Sequence, residues 1–198
     1  NKGQLRPEVM TSMHLARWLY YNNGHYRGRQ AIDMGCGTGL QGIVMASQGA
    51  DVQFSDVSEG SVINTRQNLT RYEIPARVVQ GDLFENIVDT ADIIVFNHPF
   101  FAFGSIDSLT DPEFSPSQYT QDGLIHRFLE DAKQYTRDTI IMAYFHLAGE
   151  TNDPGLQAPK HGYKIRVHQF IAREGLQQGP ISIYELRPTR ELSHRKFF

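Results

Sequence analysis

The run Gln30-Ala31-Ile32-Asp33-Met34-Gly35-Cys36-Gly37-Thr38-Gly39 joins an apolar stretch to a glycine-rich turn, with a carboxylate two residues before the first glycine. Glycine at 35, 37 and 39 lets a ligand lie against the main chain and permits positive φ, so backbone N–H groups are free to meet it. With Asp33 beside them, such a turn suits a charged nucleoside cofactor held at a strand's end. A lone glycine triplet is common, but this one is followed by further polar groups where successive apolar runs stop. Asp56 ends the second run, in Phe54-Ser55-Asp56-Val57-Ser58. Asp82 follows the third, in Gly81-Asp82-Leu83-Phe84, and Asn97-His98-Pro99-Phe100 follows the fourth. An acidic residue that merely caps a helix after a strand would explain any one of these positions; three in succession point to a binding edge.

The elements that must carry these groups are legible as alternating patterns. Apolar runs at 30–34, 51–55, 77–80, 91–96 and 138–145 are separated by helical or polar stretches, the βαβ rhythm of a parallel sheet covered on both faces. Residues 40–48 and 59–71 are expected to form the first two crossover helices, the second with Ser58 as N-cap. A third crossover at 84–90 is short and polar. Leu124, Ile125, Phe128, Leu129, Ala132 and Tyr135 form a helical stripe after the capping-type residues Thr120 and Asp122. Upstream, Pro7, Val9, Met10, Met13, Ala16, Trp18 and Tyr20 have the spacing of an amphipathic helix over residues 7–21, stopped by Asn22-Asn23-Gly24. Near the C-terminus Ile165, Val167 and Ile171, then Ile181 and Ile183, alternate with polar residues around a turn ending Gly179-Pro180, which predicts an antiparallel hairpin. The fold class is therefore α/β: a Rossmann-like, doubly wound, mostly parallel seven-stranded sheet with helices on both faces and a C-terminal hairpin.

Composition sets outer bounds. A chain of 198 residues fits one domain, here a helical segment at 1–27 followed by a core at 28–188. Nineteen Lys and Arg against 22 Asp and Glu leave a net charge of −3, with no broad basic field to attract a polyanion. The single cysteine, Cys36, has no intrachain disulfide partner, and no run approaches the roughly 18 to 20 apolar residues of a membrane span. A cytoplasmic protein is expected, with no membrane association. The chain begins with Asn rather than Met, which leaves room for an upstream segment. Asn68-Leu69-Thr70 matches a glycosylation acceptor but reads better as a polar helix end. The histidines show no metal-ligand spacing, so no metal is expected. The basic tail of Arg187, Arg190, Arg195 and Lys196 reads as a solvated terminus.

Taken with the closing hairpin, these motifs resemble the Rossmann-like methyltransferases that use S-adenosyl-L-methionine (SAM) and release S-adenosyl-L-homocysteine, in the branch with an Asn-Pro-Pro-Tyr-type signature for methylating nitrogen. The resemblance covers roughly residues 28–188. It implies that Asp33, Gly35, Cys36, Gly37 and Gly39 bind the methionine portion and that Asp56, with Val57 beside it, receives the ribose hydroxyls. Asp82 would accept from the adenine amino group and Leu83 would flank the ring. Asn97 and the carbonyl of His98 would accept from the acceptor's NH2 group, Pro99 would shape the turn, and Phe100 would stack on the planar substrate. His98 stands where relatives have the first proline; its side chain is expected to face solvent or close over the pocket, and a role as proton acceptor is open. Family acceptors include glutamine side chains, nucleobase amino groups and related small molecules. The acidic Asp107, Asp111 and Glu113 within 101–120, a long stretch without period that is expected to act as a lid, favour a protein side chain or small molecule, with RNA still compatible. Two competing readings are a SAM-binding domain that docks to a partner without catalysis and a nicotinamide-linked oxidoreductase. Oligomeric state is left open.

Overall fold

The computed structural model describes residues 7–22, 26–102, 119–120, 123–170 and 181–189. Its elements run α1 (Pro7–Tyr21), β1 (Gln30–Met34), α2 (Leu40–Ser47), β2 (Asp51–Asp56), α3 (Glu59–Arg71), β3 (Arg77–Gln80), β4 (Ala91–Phe96), β5 (Phe101–Ala102), β6 (Tyr119–Thr120), α4 (Leu124–Tyr135), β7 (Thr136–Phe145), α5 (Pro154–Gln157), β8 (Tyr163–Phe170) and β9 (Ile181–Pro188). The main sheet has the order β3-β2-β1-β4-β7-β9-β8. Its first five strands are parallel, and β9 enters antiparallel between β7 and β8. The seven-stranded doubly wound sheet and the C-terminal antiparallel pair are thus both present.

Two apolar layers sandwich the sheet. On one face Leu15, Trp18 and Leu19 of α1, Met45 of α2, and Val62 and Leu69 of α3 cover Ala31, Phe54, Ile93 and Val95. On the other, Phe128, Leu129 and Ala132 of α4 cover Ile32, Ile94, Phe96 and Met142. Burial is nearly continuous along β1 and β4 while successive side chains alternate between the two layers, as the two-residue period of a strand packed on both sides requires.

Local differences from the pattern have physical causes. In α1 the buried face is Thr11, Leu15, Ala16, Trp18 and Leu19, so Ala16 and Trp18 point inward as expected, whereas Met13 and Tyr20 are 59% and 56% exposed. The mixture of apolar residues around that helix concealed its true inward stripe. No helix forms between β3 and β4; residues 82–87 make turns closed by Glu85 N–H to the Asp82 carbonyl and Ile87 N–H to the Phe84 carbonyl. Ser58 caps α3 as expected, accepting from Ser61 N–H, but α4 starts at Gly123 in a left-handed conformation without a side-chain cap. The stretch 101–120 has no strand period in sequence, yet its ends, Phe101–Ala102 and Tyr119–Thr120, pair as the short parallel ladder β5–β6. The interior of that stretch, with its expected lid and acidic residues, lies outside the described residues, as do Ile171, the hairpin turn and the basic tail beyond residue 189. Among the described residues no helix is long and apolar enough to cross a membrane.

Candidate active site

The sheet order reverses direction between β1 and β4, and Met34 pairs with Phe96 at the carboxyl ends of those strands. Residues 35–39 and residues 97–100 therefore leave the sheet side by side at the switch point, where open α/β sheets form a crevice. The topology brings together two motifs that are some sixty positions apart in the chain.

The glycine turn is braced from several directions. Gly35, Gly37 and Gly39 all have φ between +57° and +80°. A Cβ placed on Gly37 would meet nothing within 4 Å, so the main chain there borders open space. Asp56 at the end of β2 accepts from Gly37 N–H at 2.9 Å through Oδ2 and from Ser58 N–H at 2.9 Å through Oδ1. On the far side α3 contributes Thr65, whose hydroxyl donates to the Gly37 carbonyl at 3.2 Å, and Asn68, whose Nδ2 donates to the Thr38 carbonyl at 2.8 Å. Asn68 thus serves the turn, a part its sequence neighbourhood did not disclose. Cys36 is buried 3.3 Å from the Thr65 hydroxyl, and burial together with the nearby Asp33 carboxylate pushes its thiol up to about 12. It is an inert packing group rather than a nucleophile.

Asp33 lies beneath the turn, 2% exposed, where Oδ2 accepts from Gly42 N–H at 2.8 Å in the first turn of α2. That bond satisfies one of the N–H groups a helix leaves unpaired at its start. Burial pushes the carboxyl up to about 8, the Gly42 bond opposes the rise, and the Asp56 charge adds to it. Gly42 is required by closeness: a Cβ there would overlap the Phe54 ring and approach the Asp33 side chain.

At the other end of the crevice, Asp82 is paired with Arg127 of α4, whose Nη1 lies 2.7 Å from Oδ2. Both side chains are about half exposed, so the pair is worth under about 1 kcal/mol and yields readily to a competing ligand. Leu83, expected to flank a ring, instead turns its side chain into the core and adopts φ of 50°. A left-handed non-glycine residue costs on the order of 1 to 3 kcal/mol, and such residues cluster at functional sites. Val57, by contrast, stands 63% exposed next to Asp56.

Asn97 has one end engaged and one end bare. Nδ2 donates to the Ser12 hydroxyl of α1 at 2.7 Å, while Oδ1 is buried without a hydrogen-bond partner. Phe100 is 3% exposed and packs edge-on to Tyr144, with ring centroids 5.9 Å apart. Its ring belongs to the core, so the expectation of an open stacking face is corrected. His98 is corrected likewise: it is 1% exposed, lies parallel to Tyr144 with centroids 5.8 Å apart, and places Nε2 3.0 Å from the Asn152 carbonyl. Since that carbonyl only accepts, Nε2 carries the proton and the buried Nδ1 is left bare. Burial lowers the imidazole to about 4, outweighing the Asn152 bond. A group so hard to protonate is a poor proton acceptor at neutral pH. Asn152 also donates from Nδ2 to the Phe100 carbonyl at 3.3 Å, so it clasps the 97–100 segment at two points. Sequence reasoning missed it. The string Asn152-Asp153-Pro154-Gly155 could have been read as a turn followed by an N-cap with proline in the first helical turn, which is what α5 shows.

The buried His98 has a consequence for acid stability. Its pKa is depressed in the folded state, so the unfolded chain takes up a proton first as pH falls from about 6.5 towards 4. Folding stability is lost across that window, by on the order of 3 kcal/mol at the lower end. His98→Gln, which keeps a donor for the Asn152 carbonyl, is expected to show a shallower fall in urea midpoint between pH 7 and pH 4. An identical pH profile for the two proteins would contradict the burial of a neutral imidazole.

Comparison with known proteins identifies the fold and the family. The family model described as methyltransferase small domain matches residues 12–139. A ribosomal RNA small subunit methyltransferase C from Alcanivorax borkumensis is 39% identical over 79 residues, 39% of this chain; those residues span only 24% of the relative's length. A putative protein N5-glutamine methyltransferase from Methanocaldococcus jannaschii is 26% identical over 172 residues, covering 84% of this chain and 86% of the relative. Among solved structures, a T. thermophilus 16S rRNA N2 methyltransferase in complex with AdoMet and guanosine superposes with a TM-score of 0.65 at 19% identity, over 95% of this chain and 44% of that one. The solved structure shares the fold, and the family match is to methyltransferases rather than to nicotinamide-linked enzymes. The chain belongs to the methyltransferase small-domain family, whose members use SAM as the methyl donor.

Proposed function

We propose that the chain is a SAM-dependent N-methyltransferase acting on a planar amide or amino nitrogen, with a protein side-chain amide favoured over a nucleobase, and that it works in the cytoplasm. The observation that carries this is the bare, buried Oδ1 of Asn97, held beside the glycine turn at the switch point. An unpaired acceptor in such a place costs free energy unless a ligand's N–H completes it.

The residues present fit SAM. Gly37 borders open space that a side chain would occupy, and the Asp56 carboxylate has lone pairs left beyond its two backbone bonds, suited to ribose hydroxyls. Val57 offers an apolar surface next to them, and Asp82 is within reach of an amino group once Arg127 gives way. Asp33 and Cys36 support the turn from beneath rather than from the ligand side. When bound, the cofactor supplies an electrophilic methyl group on a sulfonium. Asn97 Oδ1 and the His98 carbonyl accept from the acceptor's NH2 group and so point the nitrogen lone pair at that methyl; alignment of this kind supplies much of the acceleration. A strong base is not needed, because the nitrogen sheds its proton readily once alkylated. Pro99 and the Asn152 clasp keep the segment in shape, and Phe100 acts through the core beneath it.

A side-chain amide is favoured because the match to the glutamine methyltransferase runs nearly end to end in both chains, and because the net charge of −3 offers no field for a phosphate backbone. The experiment is methyl transfer from labelled SAM to a glutamine-containing peptide and to a guanosine-containing RNA oligonucleotide. Label in the peptide, located on the amide nitrogen by mass spectrometry, is the expected result. Label on a carbon or oxygen atom would overturn nitrogen as the target, and salt-sensitive labelling of the RNA alone would reverse the order of acceptors.

A further inference from the structure

The Asn97 amide can face the crevice with either end, and its chemistry depends on which. A carbonyl end selects an N–H donor, whereas an NH2 end would select an acceptor and turn the methylatable group away. In the structure the NH2 end is taken by Ser12, with Nδ2 donating to Oγ at 2.7 Å, and Oδ1 is left buried and unpartnered. Ser12 lies 85 residues earlier, on α1, and its backbone carbonyl accepts from the buried Gln41 Nε2 at 3.3 Å. Gln41 stands in the first turn of α2, directly after the glycine turn. One residue of α1 is thus bonded both to the asparagine and to the helix that begins at the proposed cofactor turn.

We infer that Ser12 is a positioning residue for methyl transfer: its hydroxyl holds the NH2 end of Asn97 and thereby presents Oδ1 to the N–H of the methyl acceptor. This rests on the reading of Asn97 given above. It assigns to α1, which lies outside the glycine and asparagine motifs, a part in choosing which nitrogen group is accepted. Because a serine hydroxyl is able to donate as well as accept, the test has to observe the amide itself as well as turnover.

The proteins compared are wild type, Ser12→Ala, Ser12→Thr, Asn97→Ala and the Ser12→Ala/Asn97→Ala double variant. In 15N-labelled protein the Asn97 side-chain NH2 signal is identified by its disappearance in Asn97→Ala. Ser12→Ala is expected to shift that signal and to speed its hydrogen exchange by about tenfold, as for loss of one hydrogen bond, while Ser12→Thr keeps it near its wild-type position. With labelled SAM and the glutamine peptide and RNA probes, Ser12→Ala is expected to lower kcat by about tenfold with KM for SAM within about twofold. Ser12→Thr restores the rate, and Ser12→Ala adds nothing further in the Asn97→Ala background, since both remove the same contact. An Asn97 signal indifferent to Ser12→Ala would overturn the inference. So would effects that add independently in the double variant, or a loss of SAM affinity equal to the loss of kcat. Impaired Asn97→Ala beside an unimpaired Ser12→Ala would sink the role of Ser12 alone. Undiminished turnover in Asn97→Ala would sink the reading of Asn97, and with it any part for Ser12 in transfer.

Discussion

Asn97→Ala is expected to lower turnover by about 100-fold while leaving SAM affinity within about twofold of wild type. The asparagine reaches Ser12 through Nδ2 and has Oδ1 bare, so its side chain makes no direct hydrogen bond to the glycine turn or to Asp56. Truncation removes the acceptor proposed to align the nitrogen for attack, and a loss confined to that step is the signature of differential binding in the transition state. The fold should tolerate the change, because Asn97 follows β4 rather than pairing within it, and Oδ1 satisfies no internal donor. Single-turnover rates with labelled SAM, beside calorimetry of SAM binding, separate the two quantities. Equal losses of affinity and rate would make Asn97 a structural residue of the crevice.

Asp56→Ala is expected to act on the opposite quantity. It should weaken SAM binding by on the order of 1.5 to 3 kcal/mol, the range for hydrogen bonds to a charged group, or roughly tenfold to 150-fold in Kd. Two losses combine in that figure. The carboxylate proposed to receive the ribose hydroxyls disappears, and Gly37 and Ser58 lose the acceptor that shapes the turn around them. Asp56→Asn, which keeps one acceptor oxygen, should fall between alanine and wild type. Calorimetry showing an unchanged Kd for Asp56→Ala, with circular dichroism of a folded protein, would remove Asp56 from the cofactor site.

Much of this protein is written in short-range patterns. The five parallel strands, the two first crossover helices and the stripe of α4 were legible because each depends on periodicities of 2 or 3.6 residues that a local window contains. Asp56 and Asn97 stood out as candidates for the same reason: a polar residue at the end of an apolar run is a local signal, and the family motif sharpened it. The hairpin was visible as alternation, but its placement, with β9 between β7 and β8, was not.

What remained hidden was every property that depends on a partner distant in the chain. Local sequence leaves His98 beside a turn, free to face solvent; only the folded core puts Tyr144 against its ring and Asn152 on its Nε2. Phe100 next to an acceptor motif reads as a stacking ring until Tyr144 and Phe145 are seen to enclose it. Asp82 looks like an open carboxylate until Arg127 arrives from α4. Sequence by itself determined which strand ends present polar groups, because strand and turn are set by neighbours. The tertiary structure alone decided which end of each polar group is satisfied and which is left for a ligand, because a hydrogen bond is an agreement between residues that the chain brings together only on folding.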